Sequence, residues 1–201
     1  MFKSYKLIIA TTLSLLIVTV MYFGSYLPLR KSQLFIKAMS DLQSGKIRSI
    51  QDFDTAFASA LNFYSPIGQD EISSQYLNIL ANVISQQTDK NIIEILTKQA
   101  ENTMEPILKA GKGFGYSQNL YAFARLYELA AQKLNSNVYL QKSVDMLKLG
   151  LENSSNRFIF LEGLFNIYQM AGDKEKTKEI GEIILKYWPD NEKIKTIIQS
   201  L

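Results

Sequence analysis

The chain has 201 residues, of which 47% are hydrophobic and 20% charged, which is enough apolar sequence for one or two domains with a buried core. It contains no cysteine and no histidine, which excludes disulfides, thiol nucleophiles, zinc–thiolate sites and the most common general base near neutral pH. Its 22 basic and 19 acidic side chains nearly balance and form no basic stripe, so we expect no nucleic-acid partner, and we expect neither a metal nor a cofactor.

The first predicted element is a membrane-spanning helix. No charged residue occurs in the 23 residues from Leu7 to Leu29. At about 1.5 Å per residue, this run is long enough to cross a hydrocarbon core of about 30 Å. Aromatic rings lie at both ends of the run, where lipid headgroups favour them, and no Ala-x-Ala-like cleavage site is evident. We therefore expect residues 1–29 to be an uncleaved membrane anchor.

The balance of positive charge does not choose the side of the membrane. Lys3 and Lys6 precede the apolar run, and Arg30, Lys31 and Lys37 follow it closely. Since orientation depends on an excess of Lys and Arg on one side, the two flanks give no clear preference.

Beyond the anchor, apolar residues recur at helical spacing and almost nowhere alternate, which predicts an all-α protein. The helix from the membrane is expected to continue to residue 43. Further helices are predicted at 47–64, 71–87, 90–103, 117–134, 138–152, 157–171, 173–187 and 191–200. Pro106 is expected to interrupt the chain before a glycine-rich loop at 109–117. The predicted N-caps are Asp70, Asp89, Asp173 and Asp190.

The last two helical hairpins share a pattern with a period of 34 residues. The matched pairs are Ser143 and Thr177, Leu147 and Gly181, Gly150 and Ile184, Leu151 and Leu185, and Ser155 and Pro189. The helices before them match at an offset of 41, as Leu120, Phe123, Ala124 and Tyr127 against Leu161, Leu164, Phe165 and Tyr168. Gly172 is expected to end its helix in the left-handed conformation. The helix after Pro189 would close the array as a polar-backed cap.

Paired helices at this period resemble the tetratricopeptide repeat, although two unrelated hairpins would give a similar pattern. The family pattern is kept at Tyr168, Gly172, Asp173 and Pro189, and is not kept at Thr177, Gly181 and Ile184. The resemblance implies a right-handed α-solenoid over residues 30–201. Residues 46–112 would be its degenerate helical part, and residues 113–201 its clearest repeats with the capping helix.

The order of segments is also similar to the extracytoplasmic C-terminal region of bacterial O-antigen ligase/polymerase-like membrane proteins. The segments that carry this resemblance are the membrane span, the motif "SPIGQDEI" (65–72) and the repeats. The resemblance implies a single-pass membrane protein with its repeat domain outside the cytoplasm. Those enzymes use many spans and this chain has one, so the catalytic part would be missing.

The tetratricopeptide resemblance further implies where a partner would bind. In that family, the second, fifth, ninth and twelfth positions of the first helix of each repeat face the concave side. Here they are Gln118, Tyr121, Arg125, Glu128, Ile159, Glu162, Asn166 and Gln169. These side chains suit an extended peptide, or they form a merely solvated face.

Other candidate sites have simpler explanations, and we expect no catalytic residue. The segment "GKGFG" (111–115) lacks the preceding strand and the Ser or Thr after lysine that a phosphate loop needs, so a loop between helices is expected. The acidic pairs Asp52/Asp54 and Asp70/Glu71 lie at helix starts, where capping and the helix dipole explain them.

The sequence therefore predicts a membrane-anchored, non-enzymatic module that recruits a protein partner, either an extended peptide or a membrane protein. The resemblance implies a role in envelope glycan assembly. One alternative is a detached part of a glycan ligase or polymerase whose catalytic transmembrane portion is encoded separately. Another is a structural anchor domain without a ligand.

Overall fold

The computed structural model describes residues 2–113, 115–154 and 156–201, and every regular element among them is a helix. The predicted all-α class is confirmed for these residues. The elements in chain order are α1 (Phe2–Met21), a π-helical turn (Tyr22–Tyr26), α2 (Leu27–Gln43), α3 (Ile50–Leu61), α4 (Gln69–Gln86), α5 (Lys90–Ala110), α6 (Tyr116–Leu134), α7 (Asn137–Asn153), α8 (Phe158–Met170), α9 (Lys174–Tyr187) and α10 (Glu192–Gln199). Ser155 of the predicted repeat and Phe114 of the glycine-rich loop lie outside the described residues.

The chain divides into two compact units, Met1–Ser73 and Ser74–Leu201. The first unit holds α1, α2, α3 and the first turn of α4, and the second unit holds the remaining helices. The sequence predicted a different division, with an anchor at 1–29 and a helical domain at 30–201. That boundary stays a prediction.

The predicted anchor is part of one continuous helix that runs through residue 43. Side chains between Tyr5 and Tyr26 are exposed, and the helical segment Tyr5–Gln43 is long and apolar enough to cross a membrane. In the π-helical turn, the Leu27 N–H donates to the carbonyl of Tyr22, five residues back. Pro28 follows and has no N–H to donate, so the wider turn lets the helix pass the proline without a break.

Beyond Pro28, one face of α2 is buried. Leu27, Lys31, Phe35 and Ala38 recur every three or four residues on this face. α3 packs against α2, and the ring centroids of Phe35 and Phe57 are 5.6 Å apart in an edge-on arrangement. The apolar core of the first unit therefore lies between these two helices.

Two of the predicted helix caps are wrong. α4 begins at Gln69, one residue before the predicted cap Asp70, because the carbonyl of Gly68 already accepts the first helical hydrogen bond. α10 is capped by Asn191, whose side-chain oxygen accepts from the Ile194 N–H, and not by Asp190. At α10, the Asn191 side chain thus satisfies one of the free N–H groups of the first turn.

The predicted interruption at Pro106 is also wrong, since α5 continues to Ala110. Pro106 lies on the exposed side of the helix, together with Asn102, whose carbonyl loses its helical partner. Ile107 is buried on the other side, so tertiary packing keeps the last turn helical. The helix ends at Gly111, which has a left-handed φ of +63°.

In the second unit, α6 packs on α7, α7 on α8, α8 on α9 and α9 on α10. Asp89 and Asp173 cap α5 and α9 as predicted, and Gly172 has the expected left-handed φ of +71°. Three pairs of residues 34 positions apart are buried in both members, namely Ser143 and Thr177, Leu147 and Gly181, and Gly150 and Ile184. These six residues are therefore packing positions, and the repeat itself stays a prediction.

Two glycines let neighbouring helices approach closely. A Cβ added to Gly150 would lie 2.3 Å from the ring of Phe160, and one added to Gly181 would lie 2.5 Å from the Cδ1 atom of Ile198. Ordinary contacts between carbon atoms are about 3.5–4.0 Å. The close contacts of α7 with α8 and of α9 with α10 are therefore possible only because these two positions carry no side chain.

Candidate functional site

The second unit contains a cleft between α6 and α8, with α7 at its base, which we call the α6–α8 cleft. Its cavity volume is about 180 Å³. Polar side chains form its two walls: Tyr121, Arg125 and Glu128 on α6, and Glu162 and Asn166 on α8. Its base is formed by small and apolar residues, including Ala124, Ser143, Leu147 and Gly163.

Five of the eight residues expected to face a partner are brought together in this cleft. On α6, residues 121, 125 and 128 are spaced by four and then three positions, and on α8, residues 162 and 166 are spaced by four. Each set therefore lies on one face of its helix. The other three are outside it: Gln118 and Gln169 are exposed, and Ile159 is half-buried.

The base of the cleft comes from two close contacts between helices that helical spacing does not predict. Ser143 Oγ donates a hydrogen bond of 2.8 Å to the carbonyl of Ala124, which joins α7 to α6. A Cβ added to Gly163 would lie 2.9 Å from Leu147 Cδ2, so the glycine brings α8 close to α7. The available signal was the small, polar Ser143 in an otherwise apolar stripe, which indicates a close helix contact.

The charged groups of the α6–α8 cleft do not neutralise one another through a direct ion pair. Arg125 is exposed, and within the described parts of the chain it makes no ion pair within 4.0 Å with Glu128, Glu162 or any other carboxylate. Burial raises the pKa of Glu128, and the nearby Arg125 lowers it by less. Burial likewise raises the pKa of the Tyr121 hydroxyl, with Arg125 again acting in the opposite direction. Two carboxylates and one guanidinium give the cleft a net negative charge when both acids are ionised.

A second polar cluster joins α5, α6 and α7 away from the cleft. Glu101 Oε1 accepts hydrogen bonds from Tyr127 Oη at 3.0 Å and from Lys142 Nζ at 2.6 Å. Lys142 Nζ also lies 5.3 Å from the ring centroids of both Tyr127 and Tyr139. Burial alone would raise the pKa of Glu101, but the hydrogen bonds from Lys142 and Tyr127 and the charge of Lys142 outweigh it and lower the pKa. Nothing in the spacing of these residues along the sequence predicts this cluster.

The shape and groups of the α6–α8 cleft limit what it can hold. Small-molecule pockets usually enclose about 300–1,000 Å³, whereas this cleft has about 180 Å³, room for one or two side chains. Arg125 can donate to a carboxylate or a carbonyl, the two glutamates can accept from a cation, and the Asn166 amide can do both. No cluster of three or more metal-ligating side chains is found among the residues that the structure describes.

We compared the chain with protein families, with curated proteins and with solved structures. No family model, no curated protein and no solved structure matches the chain. The tetratricopeptide and O-antigen ligase resemblances therefore rest on the residues of this chain alone.

Proposed function

We propose that this protein is a membrane-anchored helical-repeat module that binds an extended segment of a partner protein in the α6–α8 cleft. The observation that carries the proposal is the convergence of five polar side chains from two helices on one narrow cleft with an apolar base. Peptide-binding grooves combine these elements, because apolar contact supplies affinity while polar groups fix the position of the bound chain.

The charges of the cleft favour a particular kind of segment. Arg125 is exposed and has no direct ion-pair partner among the described residues, so its planar guanidinium is available for a carboxylate or a backbone carbonyl. Glu128 and Glu162 give the cleft an excess of negative charge, which favours a basic side chain. The bound segment is therefore a short extended stretch that places a lysine or arginine between the glutamates and a carbonyl at Arg125.

The long apolar helix supports the membrane part of the proposal. The segment Tyr5–Gln43 is long and apolar enough to span a bilayer, and its side chains up to Tyr26 are exposed. Such an anchor holds the module at the membrane, where the partner is a membrane protein or a segment close to one. The extracytoplasmic location, the solenoid arrangement and a role in envelope glycan assembly belong to the same proposal and rest on the sequence resemblance.

Site-specific crosslinking in native membranes tests the proposal. A photoreactive amino acid is placed in the full chain at Gln169, one turn beyond Asn166 on α8, which leaves the cleft residues unchanged. The matched control carries it at Lys178, an exposed position on α9 outside the cleft. We expect a discrete protein adduct from position 169 and none from position 178.

The variant Arg125→Ala gives the experiment its specificity. Because Arg125 is exposed and makes no ion pair among the described residues, we expect its removal to leave the melting temperature within about 1–2 °C, as for other surface changes of under about 0.5 kcal/mol. The adduct at position 169 should become several-fold weaker. Equal adducts from both positions, or an adduct that does not respond to Arg125→Ala, would show that the cleft is not the binding surface.

A further inference from the structure

The loop between α3 and α4, residues 62–68, is tied at both ends to the start of α2. Lys31 is only 1% exposed, although it is a lysine beside a long apolar run. Its Nζ donates to the carbonyl of Phe63, at 2.6 Å, and to the side-chain oxygen of Gln69. An ammonium group removed from water needs such partners, because a buried charge without hydrogen bonds is strongly unfavourable. The loop is therefore held beside Lys31.

This position is the level at which the apolar helix ends. Lys31 comes two residues after Leu29, the last residue of the uncharged run, which is about 3 Å along the helix axis. Leu27, one turn before Lys31, is already buried at 6% exposure, whereas the side chains from Tyr5 to Tyr26 are exposed. If the apolar run crosses a bilayer, loop 62–68 lies where hydrocarbon gives way to headgroups.

The loop exposes apolar side chains at this level. Tyr64 is 70% exposed and Ile67 is 57% exposed, and Pro66 between them is exposed as well. The loop contains no charged residue. On the anchor helix, Tyr26 and Leu29 are exposed at a similar height. Tyrosine is enriched at membrane interfaces, and exposed aliphatic side chains beside it favour burial at the acyl boundary.

We propose that loop 62–68 is a second membrane contact, which inserts Tyr64 and Ile67 at the headgroup–acyl boundary beside the anchor. The occupant is the lipid surface, because the loop lies at the level at which the all-round exposure of the apolar helix ends, and it carries no charge with which to select a protein partner. Lys31 is the residue that holds the loop at this depth. With two points of contact, the first unit has a fixed tilt on the bilayer. The proposal rests on the anchor of the proposed function and is independent of the α6–α8 cleft.

Spin labelling of the full chain in lipid nanodiscs tests this contact. Both faces of a nanodisc are open to solvent, so a water-soluble reagent reaches the protein whichever way it is oriented. The chain has no cysteine, so a single introduced cysteine carries the label. The test position is Ile67→Cys. Gln51→Cys, at an exposed position of α3, is the control for water, and Leu16→Cys is the control for the spanning segment. Oxygen collides more often with labels in lipid, and a water-soluble nickel complex collides more often with labels in water.

Compared with the label at position 51, we expect the label at position 67 to collide several-fold less often with nickel and more often with oxygen. Its depth in the bilayer should be smaller than that of the label at position 16. Lys31→Ala should release the loop, so that the label at 67 becomes accessible to nickel while the label at 16 does not. Unchanged helicity by circular dichroism would show that this variant still folds.

Three results would overturn the proposal, and they differ from one another. A label at 67 that behaves like the label at 51, with position 16 still in lipid, refutes the loop contact and leaves the anchor intact. Low collision with both reagents at position 67 means that protein covers the loop, and not lipid. Nickel access at position 16 refutes the membrane anchor and the loop contact together.

Discussion

The close approach of α7 and α8 makes Gly150→Ala a sharp test of the packing. A methyl group at position 150 would lie 2.3 Å from the ring of Phe160, more than 1 Å inside the ordinary contact distance of about 3.5 Å. Phe160 is fully buried, so the ring cannot turn out into water. The two helices must therefore separate or the ring must adopt a strained position.

The expected magnitude follows from two opposing effects. Overpacking of a core costs about 1–3 kcal/mol, and the size of the overlap at Gly150 places this change near the upper end. Replacing glycine by alanine inside a helix returns about 1 kcal/mol through helix propensity. We expect a net loss of about 1–2 kcal/mol, which lowers the melting temperature of a chain of this size by roughly 2–8 °C.

The measurement is thermal unfolding of the full chain in detergent, followed by far-ultraviolet circular dichroism and by the fluorescence of Trp188. The matched control is Gly163→Ala, where the new methyl group meets only the flexible end of Leu147, at 2.9 Å, and the loss should be smaller. In Gly150→Ala combined with Phe160→Leu, the two effects should not add, because the leucine removes the clash. A Gly150→Ala protein as stable as the parent, or strict additivity in the double variant, would refute this account of the contact.

Two further predictions concern buried side chains of the second unit. Phe165→Ala should lower the free energy of unfolding by about 3–5 kcal/mol because the ring is fully buried. Tyr168→Ala should lower it by less, because Tyr168 is half-buried and its ring lies against Lys176. Equal losses of unfolding free energy in urea would contradict this difference. The pKa of Glu101 is lower in the folded protein than its unfolded value of about 4.3, so the stability that Glu101 contributes is complete above that value and is lost as the pH falls through the folded pKa. Glu101→Gln and Lys142→Met should each reduce the loss of unfolding free energy as the pH falls through the acid range. If both variants lose stability in acid as the parent does, Glu101 is not the group responsible.

Much of the fold was predictable because helical periodicity depends on short-range spacing, but the helix ends depended on single competing groups. The buried stripes of α6 and α8 match the expected apolar positions closely. The expected break at Pro106 was wrong because the local rule considers only the lost N–H. It cannot know that the freed carbonyl of Asn102 lies on the exposed side while Ile107 is buried. Tertiary packing overrode the local preference.

The candidate site was predictable to the extent that one helix face determines it. Positions 121, 125 and 128 share a face by spacing alone, so their convergence needs no tertiary information. The depth and base of the cleft do need it, because they depend on how closely Leu147 approaches Gly163. For the same reason Lys31, which the sequence places as one more positive charge flanking the span, is buried only through partners 32 and 38 residues further along the chain.

The distant partners of Lys31 have a consequence for biosynthesis. Gln69 is synthesised 38 residues after Lys31, which is about 2–8 s later at roughly 5–20 residues per second. During that interval the ammonium group has neither the Phe63 carbonyl nor Gln69 as a hydrogen-bond partner. Lys31 therefore becomes a buried structural group only after the chain through Gln69 has been made and the first unit has folded.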